Sequence, residues 1–151
     1  MYEAYLQNAV AAVITARQAI STYNTSGIRN FKNISAYHTQ QTVEFIVKYQ
    51  IYNNPLYNKG KAEADVSQIY SHDIDYLITK YCKKYNIEVP KSIEIKAEMI
   101  SKWEAESRYK LGFSARVTSI QSVLDAAEEW LFTIKPSYRK TILSKRRKYG
   151  R

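Results

Sequence analysis

Apolar residues recur along this chain at three- and four-residue steps, the spacing that places side chains on one face of an α-helix. From Glu3 to Tyr23 the stripe is Leu6, Val10, Val13 and Ile20, with Ala9 and Ala16 beside it. Asn24-Thr25-Ser26-Gly27 is turn chemistry, and Asn33 or Ser35 is the expected cap of a second helix running to about Tyr52. Its apolar face is Ala36, Val43, Ile46, Val47 and Ile51, and Gln40 falls on that same face. Asn53-Asn54-Pro55 ends it, and residues 56 to about 70, with Gly60 and mixed charges and no sustained period, predict an exposed loop with at most a short helical turn.

Ser71 is the N-cap candidate of a third helix with Ile74, Leu77, Ile78, Tyr81 and Tyr85 as its stripe, stopped at Asn86. Pro90 suits the first position of a fourth, in which Ile95, Met99 and Trp103 continue to about Arg108 before Gly112. After Ser114, Val117, Ile120, Leu124, Ala127, Leu131 and Ile134 alternate steps of three and four, and Pro136 closes this fifth helix. Amphipathic segments with short connections and no strand pattern predict an all-α fold, an antiparallel up-and-down bundle of four to five helices.

Composition supports one domain: 151 residues, 45% hydrophobic and 25% charged, with only four glycines and three prolines. The formal charge of +9 is unevenly spread. Residues 136–151 hold seven Lys or Arg and no acid; without them 16 basic residues face 14 acidic ones. The expected organisation is therefore a nearly neutral bundle over 1–135 and a flexible basic tail over 136–151. In that tail Lys145, Arg146, Arg147 and Lys148 are candidates for holding phosphates by counterion release, with a solvating terminus as the alternative.

The amino-terminal stretch has Glu3 and polar residues within its apolar run, so it reads as neither signal peptide nor membrane span; the expectation is a cytoplasmic protein without membrane contact. Cys82 is the sole cysteine, which excludes an intrachain disulfide and a Cys-based zinc site, and a buried spectator is expected there. No cofactor is implied, and no third ligand stands at metal spacing from His72 and Asp73.

Three polar groups are candidate sites. Gln40, Gln41, Glu44 and Lys48 share one side of the second helix. They read either as a structural network, with Glu44–Lys48 a surface ion pair of about 0.3–0.5 kcal/mol, or as a pocket that accepts Arg108 or a base edge. His72 and Asp73, at a helix start, either cap and pack or orient one another. Arg108 and Tyr109, at a helix end, offer a guanidinium to a carboxylate such as Glu44 or Glu104, or to a phosphate. The 14 tyrosines mostly fall on helical stripes and are expected in the core or on a dimer face.

Three patterns stand in order: Tyr37-His38-Thr39-Gln40-Gln41 with Glu44 and Lys48, then Ser71-His72-Asp73-Ile74, then Glu106-Ser107-Arg108-Tyr109. Together they resemble the HEPN family over about residues 5 to 135. That resemblance implies a four- to five-helix bundle, a homodimer, a minimal nucleotidyltransferase as partner, and nucleotide or RNA as ligand. Many family members resemble toxin ribonucleases with an Arg followed at four to six residues by His. Here no histidine follows Arg108 or Arg116, and Arg29 stands too far ahead of His38. The implied function is thus a nucleotide- or RNA-associated interaction module without catalysis. Two alternatives remain open: a divergent ribonuclease toxin of a toxin–antitoxin system, using Arg108 with His72 or His38, and an RNA-binding accessory protein driven by its tail.

Overall fold

A computed structural model describes residues 2–63, 69, 71–109 and 115–148, excepting the side chains of 60–63, 108, 109, 147 and 148. The described elements are α1 (Glu3–Ser26), α2 (Arg29–Tyr52), α3 (Pro55–Glu63), α4 (Ile74–Leu77), α5 (Lys91–Ile95), α6 (Ala97–Tyr109), α7 (Val117–Ile134) and α8 (Tyr138–Lys148). They contain no strand, and no helix among them is long and apolar enough to cross a membrane.

α1 and α2 form an antiparallel hairpin. Gly27 makes the turn in the left-handed region, at φ 70°, and its N–H closes on the Tyr23 carbonyl at 2.7 Å. A Cβ there would meet no atom within 4 Å, so the backbone conformation alone favours glycine. Helix α2 starts at Arg29, earlier than a cap at Asn33 or Ser35 would allow. Ser35 is instead fully buried, and its hydroxyl donates to the Ala16 carbonyl across the hairpin at 2.8 Å.

α7 returns along α1, with Arg17 beside Asp125 and Glu128 and Glu3 beside Lys135. The core lies between these helices and α6: Leu6, Val13, Ala36, Val43, Val47, Ile100, Trp103, Ile120, Leu124 and Leu131 are all at most 2% exposed. The stripe of α7 is buried as its spacing predicts, from Ile120 to Leu131.

Four expectations are corrected. The loop expected after Pro55 is in part helix α3, capped by Asn54, whose Oδ1 accepts from the N–H groups of Leu56 and Tyr57. Tyr57 anchors it, buried against the rings of Tyr52 and Tyr85. A good cap and one buried aromatic outweigh the missing period; residues 64–68 and 70 of that loop lie outside the described residues. The third helix is capped by Asp73 rather than Ser71, and runs on from α4 as a π-helical stretch, Ile78–Cys82, before Asn86 at φ 56°.

The fourth helix is two, α5 and α6, broken at Lys96. The break rotates the stripe: Ile93, Ala97, Ile100 and Trp103 are buried, and Ile95 is 72% exposed. Finally, residues 138–148 are not flexible tail but α8. Ile142, 2% exposed, pins it to the core, and Arg146 pairs with Glu128. One apolar side chain and one buried carboxylate suffice to dock a segment whose composition reads as solvated.

Cys82 sits in this core at 1% exposure, and burial pushes its thiol up to about 12.

Candidate functional site

The second helix brings Gln40, Glu44 and Lys48 into one column by its four-residue steps, and α4 delivers His72 to its side. Gln40 is fully buried, while Glu44 and Lys48 are each 6% exposed. Lys48 Nζ donates to Glu44 Oε2 at 3.0 Å, and Gln40 Nε2 donates to Glu44 Oε1 and to the His72 carbonyl, both at 3.0 Å. His72 Nδ1 lies 2.9 Å from Glu44 Oε2 and 3.1 Å from Oε1. The expected surface ion pair is thus a buried one, and Glu44 takes His72 as an additional partner.

A carboxylate facing Nδ1 favours the proton there, so in the neutral ring Nε2 is the acceptor, on a side chain that is 64% exposed. Glu44 therefore orients His72. The oxygen of the Gln40 amide is buried without a hydrogen-bond partner among the described residues, a position where a donor would be stabilised.

Two predicted members stand apart from this network. Gln41 turns to the Tyr37 hydroxyl at 3.0 Å. Asp73 is spent on structure: its Oδ1 accepts from the Tyr76 N–H and from Ser101 Oγ, each at 3.1 Å. The side chains of Arg108 and Tyr109 lie outside the described residues, as do those of Arg147 and Lys148. His38 lines a separate concavity of about 380 Å³ that also includes Ser107, one residue before Arg108. Burial lowers its imidazole pKa below the usual value, partly offset by a hydrogen bond with Gln41. Among the described residues, no group of three His, Cys, Asp or Glu side chains is placed to hold a metal.

A second polar cluster escaped the sequence reading. Glu128, 2% exposed, accepts from Arg17 Nε at 2.8 Å and from the Arg146 guanidinium, while Arg17 also pairs with Asp125. Glu128 stands between Leu124 and Leu131 on the buried stripe of α7. A carboxylate at such a position demands a cation, and that was the available signal. Beside this cluster, α1, α7 and α8 enclose a pocket of about 270 Å³.

On α8, Lys140 and Lys145 are exposed and pair with no carboxylate among the described residues. The larger groove, about 1190 Å³ beside the carboxyl end of α2, is lined by Glu88 and Glu129 and by no Lys or Arg among the described residues, although Arg139 pairs with Glu129 at 3.5 Å. No protein-family model matches the chain, and comparison with curated proteins and with solved structures finds no match either.

Proposed function

We propose that this chain is a HEPN-type interaction module that holds the phosphates of RNA or a nucleotide on α8 and performs no chemistry of its own. The carrying observation is that the basic segment is a docked helix, with Ile142 in the core and Arg146 on Glu128. Lys140 and Lys145 therefore project from a fixed frame instead of a coil, which lowers the entropy lost when phosphates are gripped. The HEPN resemblance adds a homodimer and a nucleotidyltransferase partner to this reading.

Anisotropy titration of single-stranded RNA at several salt concentrations tests it. Lys140→Ala and Lys145→Ala are each expected to weaken binding and to reduce the slope of log K against log salt by about 0.7. Binding that ignores salt, or none at low salt, would overturn it. Sedimentation velocity tests the dimer.

The Glu44–His72 pair favours a second reading, the divergent ribonuclease. Nε2 of His72 would take the 2′-hydroxyl proton as that oxygen bonds to phosphorus, while the P–O5′ bond breaks and the leaving 5′-oxygen takes a proton from water. Arg108, on the last turn of α6, is the cation this reading requires. Metal-independent cleavage abolished by His72→Gln decides for the enzyme, and an inert protein for the module.

A further inference from the structure

The pocket between α1, α7 and α8 has two kinds of wall. Ile14, Ile20 and Ile142 form an apolar part, and Arg17, Lys145 and Arg146 bring three cations to its lining. Among the described residues two carboxylates answer them, Asp125 and Glu128, and Glu128 is shared between both arginines. One positive charge is left over at the edge of a partly desolvated concavity. The Nε of Arg146 is buried without a hydrogen-bond partner among the described residues, its contacts to Glu128 being made through Nη2.

The larger groove does not share this chemistry, since carboxylates line it. The buried network around Glu44 does not either, because its cation Lys48 is already matched.

We propose that this pocket binds a compact organic monoanion, a carboxylate carrying a small apolar body. The carboxylate would meet Arg146 and Lys145, supplying the missing negative charge, and the apolar body would rest on Ile14, Ile20 and Ile142. A volume of about 270 Å³ lies at the small end for ligand pockets and suits an aryl or short alkyl group. Gln121, from α7, adds an amide at the wall. Because the ligand would touch α1 and α8 together, its binding would hold α8 on the bundle. This site is separate from the exposed phosphate-binding face of α8 except for Lys145, and it does not depend on that reading.

The test is calorimetric titration of the full chain with benzoate and with hexanoate, against benzyl alcohol and inorganic phosphate as controls, accompanied by isoleucine methyl NMR. The expected result is saturable 1:1 binding of one of the two carboxylates with a Kd at or below about 1 mM. Both controls should bind at least about tenfold more weakly, and shifts should concentrate on the Ile14, Ile20 and Ile142 methyls. Arg146→Gln should weaken the carboxylate about tenfold. Should that variant loosen α8, Lys145→Ala, at an exposed position, should still weaken it about threefold with an unchanged melting curve. Benzyl alcohol or phosphate binding as tightly as the carboxylate, methyl shifts elsewhere, unaltered affinity in Lys145→Ala, or no binding of either carboxylate at about 10 mM would each overturn the proposal.

Discussion

The Arg146 guanidinium donates to both oxygens of Glu128, a carboxylate only 2% exposed, and so ties α8 to α7 where Arg17 of α1 already converges. Glu128→Ala would leave two cations facing each other with their shared anion gone. We expect a loss of about 3–5 kcal/mol in urea unfolding, as for a broken buried pair. Glu128→Gln, which keeps an acceptor, should lose less. A loss below about 1 kcal/mol for Glu128→Ala would contradict the convergence.

Glu44 and Lys48 give a parallel case on α2, both buried. Removing one partner strands the other, so Glu44→Ala is expected to destabilise by about 3–5 kcal/mol. Replacing both, as Glu44→Leu with Lys48→Met, should recover most of that, because desolvation of the pair opposes its attraction. Denaturant midpoints of the two variants check the difference; equal losses would show that the ion pair is not the relevant unit.

His38 predicts a pH effect. Its folded pKa lies below the ordinary 6.5 because burial penalises the imidazolium. The corresponding stability is fully present above that ordinary value and is lost as pH falls through the folded one. His38→Gln should therefore flatten the acid limb of the stability curve below pH 6.5 and leave the alkaline side unchanged. An NMR titration of the His38 ring at or above its ordinary pKa would count against this.

For Cys82, burial and a thiol pushed up to about 12 predict inertness toward disulfide reagents at neutral pH. Labelling should proceed only as the protein opens, so its rate should rise with denaturant. Rapid stoichiometric labelling of the native chain would refute this placement.

The helices most readily read from sequence were those whose stripe is continuous. In α7 every predicted apolar step from Ile120 to Leu131 is buried. Where the backbone departs from regular α geometry, the pattern misled: Lys96 breaks the fourth segment, and Ile95 faces solvent as a result. α3 and α8 each bury a lone apolar side chain, Tyr57 and Ile142 respectively, with Tyr138 partly buried beside the latter, too sparse to make a period.

The Glu44 column was visible because Gln40 interrupts an apolar face, and its steps of four are local. That His72, not a distant arginine, would complete the described network depends on how α4 meets α2, which no local pattern encodes. Arg17 and Glu128 are 111 residues apart, and their meeting belongs to the tertiary arrangement alone.

The clasp between the two ends of the bundle also bears on the order in which the chain is made. Lys135 and Tyr138 meet Glu3, and Arg146 completes the neutralisation of Glu128. During synthesis the α1–α2 hairpin, whose contacts are local, can form early, but the side of α1 that receives α8 stays uncovered until Tyr138–Lys148 have emerged from the ribosome. The nascent bundle would thus present the Ile14–Ile20 surface until α8 is made, and Glu128 would await Arg146 for the 18 residues that separate them, making the docking of α8 the step that covers this side of α1.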